Sequence, residues 1–302
     1  MITLRQLRYF EALSETLHFG RAAKRLNISQ PALSAQIAQM EAFFGGALFQ
    51  RSSGGIALTG EGQAIGGRVR AILTEVRELE SIATAGDAPL SRRLRLGVIA
   101  SVAPYLLPSL LALLAGEHPQ LECEVRESVT DRLLRELSAG EIDCAIVALP
   151  VDEHGLETLT LFEDRFHFAV PADQADRYAA RVPIGLMRDV RLILLEEGHC
   201  LRDQALEICQ IADPSERAGL GATSLSTILR MVAAGLGATL IPDMAVGDET
   251  RRGGIAILPF EDPAPARTIA LAFRPSTARR QDFGVLADVI RRAGDLGRAV
   301  AA

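Results

Sequence analysis

The chain has 302 residues, of which 48% are hydrophobic, and a formal net charge of −6 at pH 7. This length allows two or three domains with their own cores, and no apolar run of roughly 18 residues predicts a membrane-spanning helix. The first residues lack the apolar stretch of a secretory signal, and four cysteines are too few for a secreted disulfide framework, so we expect a cytoplasmic protein without a membrane partner.

The charges are unevenly distributed along the chain. Residues 1–58 carry six basic side chains against three acidic ones, whereas residues 59–91 and 92–302 are both net acidic. A basic segment on an acidic body favours a local nucleic-acid-binding module over general attraction to nucleic acid. We therefore expect a DNA-binding domain over residues 1–58.

Three helices and a hairpin are predicted in this first segment. Apolar residues at helical spacing predict helices over 4–15, 20–27 and 31–44, the last with Pro31 in its first turn. Two helices joined by a tight turn match a helix-turn-helix, and short strands around residues 52–55 predict a β-hairpin wing. The alternative is a three-helix interaction module with a polar face.

The third helix carries polar side chains of the types that recognise DNA. Glutamine pairs bidentately with adenine, serine bonds to base edges or phosphate, and a wing arginine suits a phosphate or the minor groove. The residues expected to contact double-stranded promoter DNA are Ser29, Gln30, Pro31, Ser34, Gln36 and Arg51.

Residues 59–91 are predicted to form a linker and dimerisation helix, over about 60–85, followed by a hinge. Steps of four and three residues separate its apolar positions and define a heptad seam: Ile65, Val69, Ile72, Val76, Leu79 and Ala83. Such a seam favours pairing of two chains, which would present two recognition helices to a two-fold-related DNA site. The alternative is that the helix packs on its own chain.

Residues 92–302 alternate between strand and helix patterns, which predicts a parallel-rich α/β sheet. We expect two lobes with a ligand-binding cleft between them, the first over about 92–163 plus 268–302 and the second over about 164–267. The sequence has no Walker loop, Rossmann fingerprint, HExxH or GxSxG pattern. We therefore expect no cofactor, no metal site and no enzymatic activity.

The segment 18-HFGRAAKRLNISQPALSAQIAQMEAFFGGALFQR-51 resembles the winged helix-turn-helix of LysR-type transcriptional regulators. The resemblance covers essentially the whole chain. It implies an α+β multidomain fold with a winged helix-turn-helix, a long linker helix and a two-lobed α/β regulatory domain like a periplasmic binding protein. Within the family, 104-PYLLP-108, 194-LLEEGHCLRDQ-204 and 267-RTIALAFRP-275 are similar to the members that sense hydrogen peroxide. Ala38 departs from the family, since many relatives carry a basic residue there.

Carried over residue by residue, the resemblance implies a redox switch that controls antioxidant genes. Cys200 would be the peroxide-reactive cysteine and Cys209 the resolving one. The implied peroxide pocket comprises Ser101, Thr130, His199 and Arg267, with Ser101 standing where a threonine is typical. The implied partners are hydrogen peroxide, RNA polymerase, a thiol reductant of the glutaredoxin or thioredoxin type, and further copies of the chain in a homodimer or homotetramer.

The residues themselves suit this chemistry. A thiol attacks as its thiolate, and Cys200 lies at the start of a predicted helix, where the peptide dipoles stabilise an anion. Oxidation gives a sulfenic acid, which a second thiol converts to a reversible disulfide. Nine helical residues separate Cys200 and Cys209 by about 13 Å on opposite faces. A disulfide needs Cα atoms within about 7 Å, so oxidation must unwind the helix.

Each assignment has a plainer alternative. Cys200 is otherwise an ordinary half-buried thiol, Cys209 a structural one, His199 a loop histidine and Arg267 a surface arginine. Cys123 and Cys144 fall in phase with apolar strand residues, so we expect them in the core. For the whole protein, the alternatives are a LysR-type regulator whose cleft binds a small organic effector, and a thiol peroxidase.

Overall fold

The chain forms two compact units, Met1–Ala85 and Gly86–Ala302. The structure is a computed structural model that describes residues 1–52, 55–83, 89–91, 93–151, 155–209 and 221–301. Within those ranges, no helix is both long and apolar enough to cross a membrane. The predicted linker helix belongs to the first unit, and the boundary between residues 58 and 59 stays a prediction.

The first unit consists of three helices, a hairpin and a long helix. Its elements are α1 (Leu4–Thr16), α2 (Phe19–Arg25), α3 (Gln30–Phe44), β1 (Phe49–Ser52), β2 (Gly55–Leu58) and α4 (Gly60–Ala83). Thr3 and Gln6 form a capping box at the start of α1, and the hydroxyl of Ser29 accepts the Ala32 N–H at 3.3 Å at the start of α3. Gly45, with a φ of 79°, ends α3 in the left-handed conformation that favours glycine. The three predicted helices of the head are confirmed to within two residues.

The predicted wing is confirmed as an antiparallel hairpin. Strands β1 and β2 pair with Arg51 opposite Ile56, and the two residues of the turn, 53 and 54, lie outside the described residues. The unit closes around one hydrophobic core, to which the helices and the hairpin both contribute. Its largest buried side chains include Phe10, Leu13, Leu33, Ile37, Met40 and Leu48.

The structure divides the predicted seam of α4. Ile65 packs against the unit's own core and Val69 lies inside it, whereas Ile72 and Leu79 are 47% and 66% exposed. Leu73, which the heptad pattern leaves out, is buried because α4 packs against α1 on that side. The first part of the seam therefore serves its own chain, whereas Ile72 and Leu79 are exposed and available to a second one. The side chain of Ala83 lies outside the described residues.

The second unit alternates strands and helices. Its first half contains β3 (Leu94–Ile99), α5 (Ala103–Glu117), β4 (Cys123–Ser128), α6 (Thr130–Ser138), β5 (Cys144–Ala148) and β6 (Glu157–Pro171), followed by short 3-10 helices. Its second half contains β7 (Leu194–Leu195), α7 (Cys200–Cys209), β8 (Gly221–Ala222), α8 (Leu225–Ala233), β9 (Thr239–Pro242), α9 (Asp243–Thr250), β10 (Ile255–Pro259), β11 (Ala266–Phe273) and α10 (Arg280–Ala301).

The main sheet is mixed, so the prediction of a parallel-rich sheet is wrong for much of it. The strand order is β10–β6–β11–β5–β3–β4, with β9 also paired to β6. Strand β3 runs parallel to β4 and β5, whereas β6 and β11 run antiparallel to each other and to their other neighbours. The reason is that β6 carries the chain out of one part of the unit and β11 brings it back in the opposite direction.

Two hydrophobic cores lie along this sheet, which confirms the predicted two-lobed domain. The first core draws its buried residues from 90–161 and 269–293, and the second from 166–260. We call the surrounding regions the first lobe and the second lobe. The predicted lobe boundaries, 163/164 and 267/268, fall in the short intervals between these ranges.

Candidate functional site

Helix α7 carries a cysteine at each end. Cys200 is half-buried and packs against the first core, whereas Cys209 is 1% exposed inside the second core. Over nine residues an α-helix rises about 13 Å and turns the two side chains to opposite sides. Both cysteines are free thiols. They can form a disulfide only after α7 loses its helical conformation, because the bond needs Cα atoms within about 7 Å.

The loop before α7 turns sharply to present Cys200. Gly198 has a φ of 89°, and a Cβ added there would lie 3.9 Å from the side chain of Val129, just before α6. The guanidinium of Arg202 donates from Nη1 to the carbonyl of Leu195 at 3.0 Å and holds the turn. Cys200 follows this turn as the first residue of α7.

The other cysteine thiols are protected by burial. Burial raises the pKa of Cys209 to about 12, so its thiol is protonated at neutral pH while α7 is helical. Burial also raises the pKa of Cys123, and that of fully buried Cys144 well above its ordinary value. The placement of Cys123 and Cys144 in or against the first core agrees with the prediction.

Arg267 lies in the interior and is only 3% exposed, so the alternative of a surface arginine is wrong. Its Nε donates to Asp164 Oδ2 at 2.9 Å, and its Nη1 donates to Ser101 Oγ at 2.8 Å. The guanidinium carbon lies 5.8 Å from the centroid of the Phe166 ring. Two of the predicted pocket residues, Ser101 and Arg267, are therefore in direct contact.

Two buried oxygens around α7 lack a hydrogen-bond partner within the described residues. They are Oγ1 of Thr130, the first residue of α6, and Oε1 of Gln204, one helical turn after Cys200. The other amide atom of Gln204, Nε2, donates to the carbonyl of Leu149 at 3.5 Å and so crosses to the first lobe. Buried polar atoms are normally satisfied, so each of these oxygens has the capacity to bond to a small polar ligand. The sequence prediction included Thr130 but missed Gln204, although its i, i+4 spacing from Cys200 indicates a shared helix face.

His199 and Ser101 line a cleft of ≈ 420 Å³ between the two lobes. Burial lowers the pKa of His199, with smaller opposing effects from Glu196 and Asp203. Its imidazole is therefore neutral at pH 7, with one nitrogen that donates and one that accepts. Among the described residues, no group of three or more His, Cys, Asp or Glu side chains is arranged to hold a metal ion.

A buried carboxylate joins the lobes at another wall of the cleft. Glu249 on α9 is 2% exposed and accepts from the Tyr105 hydroxyl of α5 at 3.1 Å. Arg230 and Arg252 lie 3.7 and 3.6 Å from its second oxygen. Burial, reinforced by the charge of Glu249, raises the pKa of Tyr105 and keeps its hydroxyl a donor.

The predicted DNA-reading residues lie at the start of α3. Ser29, Gln30 and Pro31 are exposed there, whereas Ser34 and Gln36 are half-buried and present less surface than the prediction gave them. The hydroxyl of Ser29 also caps the helix, but it retains its proton for donation to a phosphate.

Basic residues outside the predicted set extend this face. Arg21 and Lys24 on α2 are exposed, and Arg21 is anchored by a 3.0 Å bond from Nη2 to the carbonyl of Thr16. Arg25 is paired with Glu15. The backbone of Arg51 lies in β1, and its side chain is outside the described residues. The basic residues of α2 can be recognised in the sequence. Which of them are exposed depends on how α2 packs on α1 and α3.

A helix-turn-helix head followed by a two-lobed domain with a cleft defines a ligand-responsive DNA-binding regulator. Residues 4–63 match the family described as bacterial regulatory helix-turn-helix protein, lysR family, and residues 87–295 match the LysR substrate binding domain. The chain therefore belongs to the LysR family of transcriptional regulators.

Its relatives are named for the response to hydrogen peroxide. A probable hydrogen peroxide-inducible genes activator of Streptomyces viridosporus is 41% identical, covering 96% of this chain and 94% of the relative. The DNA-binding transcriptional dual regulator OxyR of Escherichia coli (strain K12) is 38% identical, covering 96% of this chain and 95% of the relative.

Solved structures show the same similarity. A full-length OxyR variant of Pseudomonas aeruginosa has a TM-score of 0.80 and 38% identity, covering 96% of this chain and 95% of that one. A mutant OxyR of Corynebacterium glutamicum with hydrogen peroxide bound has a TM-score of 0.67 and 34% identity, covering 99% and 96%.

Proposed function

We propose that this chain is a transcriptional regulator that senses hydrogen peroxide by forming a Cys200–Cys209 disulfide. The observation that carries the proposal is α7 itself, which presents one thiol at its N-terminus and keeps the other in the opposite core. The similarity to hydrogen peroxide-inducible genes activators supports the same activity.

The first chemical step takes place at Cys200. Its thiolate sulfur attacks one peroxide oxygen, an S–O bond forms, and the O–O bond breaks. The departing hydroxide takes a proton and leaves as water, so the sulfur is oxidised to a sulfenic acid while the peroxide is reduced. No metal or cofactor is needed for this balance.

The proposed pocket stabilises the charges that develop in this step. Hydrogen peroxide has two O–H donors, and Gln204 Oε1 and Thr130 Oγ1 are buried oxygens with capacity to accept. Donors from Ser101, Arg267 and neutral His199 stabilise the oxygen that leaves with negative charge. The pocket therefore combines acceptors for the intact peroxide with donors for the leaving group.

The second step requires α7 to unwind, for two independent reasons. The helix holds the two sulfurs apart, and burial keeps Cys209 protonated. Once released, the Cys209 thiolate attacks the sulfenic sulfur, an S–S bond forms, and the S–O bond breaks to release water. Because Leu201, Ala205 and Cys209 belong to the second core, this unwinding must repack the second lobe. A thiol reductant of the glutaredoxin or thioredoxin type resets the switch.

The head binds double-stranded promoter DNA through Ser29, Gln30, Pro31, Ser34, Gln36 and Arg51, with Arg21 and Lys24 of α2 on the same module. Two copies of the chain pair through the exposed part of α4, at Ile72 and Leu79, as a homodimer or half of a homotetramer. On DNA, the regulator contacts RNA polymerase. Its affinity for DNA falls steeply with salt, and a flat salt dependence would exclude this face as the DNA-binding surface.

A second candidate function is the sensing of a small organic effector. The observation that favours it is the inter-lobe cleft, where Tyr105, Glu249 and Arg252 offer a hydroxyl and both signs of charge. Under that function the cysteines are incidental, and peroxide produces no defined disulfide.

Peptide mapping after oxidation separates these functions. The reduced chain is treated with one equivalent of hydrogen peroxide, alkylated and analysed by mass spectrometry. We expect a Cys200–Cys209 disulfide, with Cys123 and Cys144 alkylated. Recovery of all four cysteines in alkylated form excludes the sensor function. Steady peroxide consumption with thioredoxin at enzyme-like rates would instead identify a thiol peroxidase.

A further inference from the structure

We infer that Asp164 is a positioning residue for the peroxide reaction, acting through Arg267 and Ser101. The inference rests on the proposed function and adds a residue that none of the sequence predictions contained. Asp164 lies on β6, between the two cores, and its side chain is 0% exposed. A carboxylate in that position needs a structural or chemical reason, because burying a charge is costly unless it is paired.

The contacts of Asp164 hold the guanidinium of Arg267 in one orientation. Oδ2 accepts from Arg267 Nε at 2.9 Å and lies 2.8 Å from Nη2. Oδ1 accepts the backbone N–H of Met244 at 3.1 Å, in the first turn of α9, where the helix dipole favours negative charge. Both carboxylate oxygens are therefore engaged: Oδ2 holds the Nε and Nη2 side of the guanidinium, and Oδ1 is fixed by the backbone of α9.

The fixed orientation of Arg267 determines the direction of the hydrogen bonds at the Ser101 hydroxyl. Arginine can only donate, so the bond from Arg267 Nη1 to Ser101 Oγ, at 2.8 Å, occupies a lone pair of the hydroxyl. The proton of Ser101 must then point elsewhere, and within the described ranges it has no acceptor in the protein. Because Ser101 lines the cleft beside His199, its O–H is available to a ligand there.

Such a fixed donor has a specific value for peroxide cleavage. Negative charge appears on the departing oxygen as the O–O bond breaks, and a donor already aimed at it needs no reorganisation. Removing the charge of Asp164 frees Arg267 to seek another acceptor, which releases the constraint on the Ser101 hydroxyl. Asp164 thus acts on the reaction without touching the peroxide.

The test compares two reactions of the same thiol. In a Cys209→Ser background, the rate of Cys200 sulfenic acid formation by hydrogen peroxide is measured beside its rate of alkylation by iodoacetamide, which has no O–O bond to cleave. We expect Asp164→Asn to slow the peroxide reaction about tenfold or more, below the 10²–10³ loss typical of removing a direct donor, and to change alkylation less than about threefold.

The matched control is Asp143→Asn. Asp143 also combines an ion pair, here only partly buried, with a backbone bond, since it accepts from Arg95 Nη2 at 2.6 Å and from the Arg95 N–H at 2.8 Å, but it serves the first lobe. Its substitution likewise removes a carboxylate charge from an ion pair with arginine, and it should leave the ratio of the two rates unchanged. Ser101→Ala should reproduce the selective loss, and adding Asp164→Asn to it should lower the peroxide rate little further.

The outcomes are distinct. If the parent forms sulfenic acid and Asp164→Asn reacts with peroxide equally fast, or if both rates fall together, the inference is overturned and the proposed function stands. If the parent forms no sulfenic acid, the proposed function fails and the inference with it. Should Asp164→Asn melt below the assay temperature, Asp164→Glu replaces it, because the longer side chain keeps the charge but displaces it. The rate ratio should then fall measurably, and an unchanged ratio would contradict the inference.

Discussion

The two ends of α7 place the same side chain in opposite environments. At the N-terminal end, Cys200 is half-buried and packs against the first core, and the nearby oxygens of Thr130 and Gln204 have no hydrogen-bond partner in the described part of the chain. At the C-terminal end, Cys209 is 1% exposed in the second core, where burial raises its pKa to about 12. This difference in environment between two identical side chains is the reason why we expect Cys200 to react first and Cys209 to wait for a conformational change.

Substitution of Cys200 should change the response to peroxide most. In Cys200→Ser, the hydroxyl does not ionise near neutral pH and cannot attack peroxide, so neither sulfenic acid nor disulfide should form. DNA affinity should equal that of the reduced parent, because the substitution leaves the head unchanged. Mass spectrometry detects the oxidation products and a gel-shift titration measures the DNA affinity, each with and without peroxide. Oxidation of Cys209 at the parental rate would show that the two ends have been assigned the wrong way round.

Substitution of Cys209 should block only the second step, the formation of the disulfide. In Cys209→Ser, sulfenic acid should accumulate at Cys200 and be captured by a dimedone-type probe, while the first oxidation keeps its rate within about twofold. Cys144→Ser, another buried thiol, serves as the control and should still form the disulfide. Failure to detect the dimedone adduct would contradict the assignment of Cys209 as the resolving cysteine.

Substitutions on the two faces of α7 should differ, by a smaller amount, in their effect on the rate of sulfenic acid formation. Gln204→Leu removes a buried acceptor on the face of Cys200, and the loss of one hydrogen bond to peroxide should slow sulfenic acid formation about tenfold. Glu207 is exposed on the same helix, so Glu207→Ala should leave the rate unchanged. Rates are measured by stopped-flow in the Cys209→Ser background. Equal rates for the two variants would exclude Gln204 from the pocket.

Local sequence signals predicted the head of the molecule well. The helices around Phe10, Leu33 and Ile37 follow from apolar spacing, and their ends follow from caps at Ser29 and Gly45, all of which act within a few residues. The opposite placement of the two cysteines was predictable for the same reason, since helix geometry alone fixes it.

The remaining features depend on contacts distant in sequence. The burial of Arg267 is set by Asp164, 103 residues away, and by Ser101, 166 residues away. The antiparallel direction of β6 and β11 follows from how the chain crosses between lobes, which strand patterns do not encode. The divided seam of α4 depends on its packing against α1. Periodicity identifies an apolar face but does not say which neighbour covers it.

The smallest predicted effect is the pH dependence of stability that comes from the buried Cys209 thiol. Its pKa in the folded chain, about 12, lies above the unfolded value of about 8.5, so its contribution to stability is complete below pH 8.5 and is lost as the pH rises toward 12. Between pH 7 and 9.5, the free energy of unfolding of the reduced parent should fall by about 1 kcal/mol more than that of Cys209→Ala. Denaturant titrations at both pH values measure this difference, and Cys123 and Cys144 titrate equally in both proteins. Parallel pH profiles would mean that Cys209 is already accessible in the reduced state, and the contrast between the two ends of α7 would then not explain the order of the two steps.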